Sequence, residues 1–294
     1  MPTFDTRGPI SATVELGVGD LRIAAGERNE TYVEVRPSDD ADKSDVAAAQ
    51  QTRVEYAAGQ LLIKAPKGWR QWTPRGGGES IDVHIELPAG SQVRAEVAVA
   101  AIHCSGRLGD CHLTTGVGEI HVEHAGGPVA CKTGAGDITV GEAMGQTDIT
   151  TGSGAIRVDR VDGAAVVKNS SGDTWIGEVT GDLRVNSGHG RIVVDQAHAA
   201  VAAKSGKGDL RLNAVGRGPV VAETGFGTVD IGVPDGVAAW LDLSTGFGKV
   251  HSDLDAAERP PAGQQALDVR ARSSFGDITI RRVGSPRPSR QGQP

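Results

Sequence analysis

The sequence predicts an all-β fold: a parallel β-solenoid of 18-residue coils with two main sheets, closed at its N-terminal end by an antiparallel cap. Three observations carry this expectation. A Ser/Thr-Gly-x-Gly motif recurs along the chain, with its final glycine at 118, 136, 154, 172, 190, 208, 227, 248 and 276, the variants Asn169-Ser170-Ser171-Gly172 and Ser273-Ser274-Phe275-Gly276 lacking the first glycine. The first five intervals are 18 residues each, followed by 19, 21 and 28. Small aliphatic residues alternate with polar ones on both sides of each motif, the period-2 signature of strands with one buried face. Finally, glycine supplies 42 of the 294 residues and aromatic residues only 3%, a glycine share about twice the ordinary one.

The elements follow in order. Ile10 to Ile23 carries the repeat pattern with Gly17-Val18-Gly19-Asp20-Leu21 and reads as an outlying first coil. The strands expected next are Thr31–Val35, Thr52–Tyr56, Gln60–Lys64 and Ser80–Leu87, with a hairpin at Ala57-Ala58-Gly59. Their irregular spacing predicts a cap rather than further coils, and an open solenoid end needs one because it is an aggregation edge. Ser38–Gln50 is polar and alanine-rich and predicts a loop with a short helix. The organisation is thus 1–90 for the coil and cap, 91–283 for the repeats, and 284–294 for a Pro-, Gly- and Arg-rich tail expected to be disordered.

Within the repeats each coil offers two short strands. The first presents inward pairs such as Val129/Cys131, Ala165/Val167, Leu183/Val185, Leu241/Leu243 and Val269/Ala271. The second presents Ile120/Val122, Ile138/Val140, Ile156/Val158, Ile192/Val194, Val250/Ser252 and Ile278/Ile280. One such coil cannot bury its apolar face alone. Stacking identical coils buries it and sets equivalent strands side by side in parallel, about 4.7–4.9 Å apart. The crossover rule makes the coil right-handed. Glycine permits positive φ and close backbone approach at the corner between sheets, and the preceding Ser or Thr is placed to bond neighbouring corner backbone.

The repeated Ser/Thr-Gly-x-Gly units, each followed by an aliphatic strand and preceded by a Gly-x-Val-x-Val strand, resemble the bacterial β-strand-repeat proteins known as "putative adhesin" or toast-rack domains. The resemblance spans Ile10 to Val283, nearly the whole chain. It implies a non-catalytic scaffold, often membrane-tethered and linked to envelope-stress sensing or transporter systems, and it brings no catalytic residue with it.

Function classes are narrowed by charge and by columns of residues. A net charge of −7 argues against nucleic-acid binding, which needs a basic face. No apolar leader and no apolar run long enough to span a membrane is present, so a soluble, cytoplasmic protein is expected. A calcium array is excluded because the residue after the second glycine reads Glu119, Asp137, Ala155, Asp173, Arg191, Asp209, Thr228, Lys249 and Asp277. Such an array needs an acid in every turn. His103 and His121 fall one coil apart at the same outward position without a third metal ligand at a convincing spacing. Cys104, Cys111 and Cys131 stand in inward columns, as small hydrophobes rather than reactive thiols, and three cysteines give no disulfide framework. No cofactor is implied.

Two places remain for contact with a protein partner or with a second copy. Phe226, Phe247 and Phe275 occupy the x of Gly-x-Gly in the last three coils and predict one aromatic ladder at a corner, either an exposed stripe or a surface under the longer C-terminal connectors. Trp69 and Trp72 stand among cations in the cap segment Lys67–Gly78, a pattern suited to a membrane surface, an acidic partner or single-stranded nucleic acid, or else to rings that pack down and order the loop. The expectation is therefore a non-enzymatic structural or interaction scaffold. The rival is a carbohydrate-active β-helix enzyme of the polysaccharide lyase or hydrolase type. That rival needs a groove of converging carboxylates and aromatic platforms, whereas the outward column of the second strand is mixed and holds one tryptophan, Trp175.

Overall fold

The computed structural model describes residues 2–66, 79–254 and 266–284. The chain forms two units, Met1–Trp175 and Ile176–Pro294, each built from parallel β coils. Lys43–Gln51 is the one α-helix among the described residues. It starts at Asp42, whose carboxylate accepts the Ser44 N–H at 2.7 Å, an N-cap that satisfies a free amide of the first turn.

In the first unit the strand Ser11–Gly26 runs parallel to Gln92–Leu108, from Ser11 beside Gln92 to Ala24 beside Ser105. The outlying coil read from the sequence is thus the first rung. On its other side it pairs, still in parallel, with Gln60–Lys64 and Ile81–Pro88. Antiparallel pairing begins one layer further out. Arg53–Ala57 lies on Gln60–Lys64, Glu30–Pro37 on Ile81–Pro88, and Thr3–Asp5 on Glu30–Pro37. The hairpin turns at Ala58 and Gly59, whose φ values are both positive, 50° and 77°, as primed turns require.

The repeats of this unit stack in two columns. Cys111–Val117, Val129–Ala135, Thr147–Ser153 and Ala165–Ser171 pair in parallel, each residue beside its equivalent one coil on. Ile120–Ala125, Ile138–Ala143 and Ile156–Val161 form the second column. Ile138, Val140, Ile156 and Val158 are all buried, and each such side chain contributes about 1.5–3 kcal/mol of burial. A third inward position closes each second strand, filled by Ala125, Ala143 and Val161. The connector interrupts the alternation there, so the sequence does not mark it.

The corner explains the motif. Gly136 has a φ of 144°, a conformation that side-chain-bearing residues rarely adopt. A Cβ on it would also lie 2.1 Å from the carbonyl oxygen of Gly118 in the preceding coil. Glycine is therefore demanded twice over, by the turn and by the rung spacing. The Thr of each motif in this unit points inward, and its hydroxyl donates to the corner carbonyl one coil back, that of Ala100 for Thr115 and that of a glycine thereafter. Thr133 Oγ1 reaches Gly118 O at 3.0 Å, and Thr151 Oγ1 reaches Gly136 O at 3.1 Å.

The second unit repeats this plan and then departs from it. Leu183–His189, Val201–Lys207 and Pro219–Phe226 stack in sequence order, as do Ile192–Ala197, Leu210–Val215 and Val229–Pro234. The next strand beside Pro219–Phe226 is Leu267–Phe275, and Ala239–Phe247 pairs on the far side of that strand. The second column matches: Val229–Pro234, then Ile278–Val283, then Val250–Ser252. The last coil in sequence is inserted beneath the coil that precedes it. Leu241 and Leu243, read from the sequence as core, are consequently only half-buried, and Val250 is exposed. Among the described residues their rung has a strand neighbour on one side only.

Candidate functional site

Side-chain alternation sends the residue between the two motif glycines outward. In the second unit this builds the ladder expected from the sequence, with its rings ordered Phe226, Phe275, Phe247. The centroids of Phe226 and Phe275 are 4.8 Å apart with planes within 1°, and those of Phe247 and Phe275 are 4.8 Å apart with planes within 4°. That distance is the strand spacing itself, so the backbone ladder imposes the stacking. The rings remain solvent-accessible, at 54% for Phe226, 45% for Phe275 and 71% for Phe247. Phe275 is the middle ring, and Phe247, on the outer rung, has one ring neighbour among the described residues.

An open groove of about 820 Å³ runs beside the ladder, with Phe247 and Phe275 along one side. Its floor is small and polar, from Ser187, Ser205, Gly206, Thr224 and Ser273. Its wall carries Lys204, ion-paired with Glu223 at 2.8 Å, and Arg272, 3.5 Å from Asp242. Most of the inward hydroxyl column here is satisfied. Thr224 donates to Gly208 O at 2.9 Å, Ser273 to Gly227 O at 3.0 Å, and Thr245 to Gly276 O at 2.8 Å. The buried hydroxyls of Ser187 and Ser205 are the exceptions and meet no hydrogen-bond partner.

The acidic position after the second glycine has a structural role that sequence reasoning missed. Asp137 Oδ1 accepts the Ala155 N–H at 2.7 Å, Asp209 Oδ1 the Thr228 N–H at 2.8 Å, and Asp277 Oδ1 the Lys249 N–H at 2.7 Å. Each carboxylate clasps a backbone amide of the adjoining rung, which is why an acid recurs there without being obligatory. The motif-to-motif spacing was the available signal, since it places the acid of one coil beside the amide of another.

Trp69 and Trp72 lie outside the described residues. His103 and His121 are neighbours with ring centroids 6.3 Å apart, and His103 Nε2 lies 3.3 Å from Glu119. Among the described residues no group of three His, Cys, Asp or Glu side chains stands close enough to hold a metal ion. The three cysteines are buried and free. Burial pushes the Cys111 thiol up to about 12, helped by the Asp110 charge, and raises Cys104 and Cys131 in the same direction. Trp175 lies under the Arg157 guanidinium, 3.9 Å from the ring centroid, and Arg157 also pairs with Asp159 at 3.1 Å.

Parallel coils, motif glycines at the corner and a hydroxyl ladder along it define a β-strand-repeat solenoid. The chain belongs to the Toastrack DUF4097 family, whose profile matches residues 13–281. Among solved structures, a "putative cell adhesion protein" from Clostridium sporogenes ATCC 15579 is 12% identical. That match covers 95% of this chain and 94% of that one with a TM-score of 0.24. A "putative adhesin" from Bacteroides fragilis NCTC 9343 is also 12% identical, covering 96% and 95% with a TM-score of 0.36. No functionally curated protein matches the chain.

Proposed function

We propose that the chain is a non-catalytic protein-interaction scaffold that docks its partner on the Phe226–Phe275–Phe247 strip. The observation that carries this reading is the strip itself: three stacked rings held in the open by rigid backbone. Exposed aromatic stripes are costly to leave in water and mark contact surfaces. The same corner position holds Ser153 and Ser171 in earlier coils, so the fold has no need of a ring there. The groove beside the strip offers paired charges and the exposed serines Ser244 and Ser274, which suit an extended polypeptide segment better than a reaction. The family resemblance points to envelope-stress or transporter components as the source of the partner, met in the cytoplasm.

The test compares capture from lysate of the native host by the wild-type chain and by the double variant Phe226→Ser/Phe275→Ser. A protein retained by the first and lost from the second, with unchanged circular dichroism of the variant, supports the docking strip. Equal retention by both refutes it.

A further inference from the structure

The structure assigns a second contact surface, distinct from the flank of the rings: the open edge of the outer rung, which we propose pairs with the same edge of a second copy to form an end-to-end dimer. Ala239–Phe247 has one strand neighbour among the described residues, Leu267–Phe275. The Leu267 N–H donates to Ala238 O at 2.8 Å and the Gly276 N–H to Phe247 O at 2.9 Å. In a parallel ladder a residue directs its N–H and C=O to the same neighbour, and successive residues alternate. Trp240, Asp242 and Ser244 therefore bond toward Leu267–Phe275, while Ala239, Leu241, Leu243 and Thr245 present theirs away from it. An edge of this kind templates strand addition.

Apolar surface is concentrated at the same place. Eight large apolar side chains are exposed among the described residues, and Trp240, Phe247 and Val250 of this rung are three of them. Leu241 and Leu243, core residues in every deeper rung, are half-open here. The segments 255–265 and 285–294 contain no Leu, Ile, Val, Met, Phe, Tyr or Trp.

The sequence of the edge selects the occupant. An antiparallel pairing centred on Leu243 sets it against Leu243 of the second copy and Leu241 against Thr245 of the second copy. All four have their hydrogen-bonding groups turned outward, and the inward columns of the two copies become continuous. Asp242 then faces Ser244 of the second copy, so no like charges oppose each other. Exposed Trp240 faces Gly246 of the second copy, and an aromatic ring laid across an edge glycine is a favourable cross-strand pair. Shifting the centre by one residue, to Asp242, would set the two aspartates against each other. The rung carries Asp242, Lys249 and Asp253 as its only Asp, Glu, Lys or Arg residues between 239 and 254, so two copies of a chain with net charge −7 meet here with little repulsion. A two-fold isologous contact closes at two copies.

Sedimentation velocity of the full chain over a wide concentration range tests this. The wild type should form a discrete dimer. Leu243→Pro removes an N–H that only the second copy uses, at an edge position that tolerates proline, and should give monomer with unchanged circular dichroism. Trp240→Ser alters an exposed side chain and should weaken the dimer at least tenfold, which keeps the test decisive if proline disturbs the rung. Phe226→Ser, two rungs deeper, should leave the dimer intact even where it abolishes partner docking. A wild type that stays monomeric, a dimer indifferent to both rung variants, or growth past the dimer with concentration would each overturn the proposal.

Discussion

Replacing Ser205 by threonine should stabilise the second unit. The inward hydroxyl of the motif normally donates to a glycine carbonyl of the adjoining coil, as Thr224 does to Gly208 O at 2.9 Å. Ser205 holds the equivalent place, and the register sets it beside Thr224, yet its hydroxyl is buried without a partner. Serine can make this bond, as Ser273 does to Gly227 O at 3.0 Å, but it lacks the γ-methyl group that would hold its hydroxyl in that rotamer. Thr is stiff at χ1 because two heavy atoms branch from Cβ, whereas Ser rotates freely among three wells. A threonine at 205 should be fixed in the rotamer used by its neighbour and donate to the carbonyl of Gly190. Making that bond is worth about 0.5–1.5 kcal/mol net, and burying one methyl adds about 0.8 kcal/mol. The expected gain is about 1–2 kcal/mol, which at about 2–4 °C per kcal/mol for a chain of this size raises the melting temperature by a few degrees. Thermal melts followed by circular dichroism measure it, with Thr224→Ser as the reverse change, expected to lose about 1 kcal/mol. If Ser205→Thr is neutral or destabilising while Thr224→Ser still costs stability, the rotamer explanation is wrong.

Three further outcomes follow from the same structure. Ile156→Asp places an unpaired charge in a fully buried column and should cost about 4 kcal/mol or more. Loss of cooperative melting is the readout, and a tolerated substitution would contradict the packing. The three thiols should resist alkylation in the native state and make the fold alkali-sensitive. Burial raises their pKa values, Cys111 to about 12, while unfolded thiols ionise near 8.5. The unfolded chain therefore loses protons first, and stability that is full below about pH 8.5 declines as pH rises toward the folded values. Cys104→Val/Cys131→Val should flatten that decline, and an unchanged slope would refute the assignment. Calcium or a chelator should leave the melting temperature unaltered, since binding to the folded state would raise it by mass action. Asp137, Asp209 and Asp277 already accept backbone amides, and a calcium-dependent rise of many degrees would show that they also hold ions.

The repeat made most of the fold readable, because an 18-residue period with alternation on both sides of Gly-x-Gly leaves parallel stacking as the way to bury Ile138, Val140, Ile156 and Val158. What escaped was whatever depends on the order of rungs in space. Period and alternation describe a coil, and coils of similar pattern are interchangeable neighbours. Nothing in the local pattern of 239–252 therefore distinguishes a rung inside the stack from one at its end. The 28-residue interval between Gly248 and Gly276 was the one sign that the chain travels further there, far enough for its last coil to enter beneath the preceding one. The same limit applied to the candidate site. The aromatic ladder was legible from three phenylalanines at one motif position, but Phe275 as its middle ring was not. The aspartate clasp was hidden because its acceptor and donor belong to different coils and are joined only by the register.

Cross-linking across the ladder is the most direct test of the arrangement on which both contact surfaces depend. Adjacent rungs lie about 4.8 Å apart and alternate rungs about twice that, whereas a disulfide needs Cα atoms about 4.4–6.8 Å apart. The native cysteines are buried and do not interfere. Under mild oxidation Phe226→Cys/Phe275→Cys should form an intrachain disulfide, and Phe226→Cys/Phe247→Cys should not. Efficient bonding of the 226–247 pair with none in the 226–275 pair would mean that the coils stack in sequence order, and both the ring order and the exposed outer rung would be wrong.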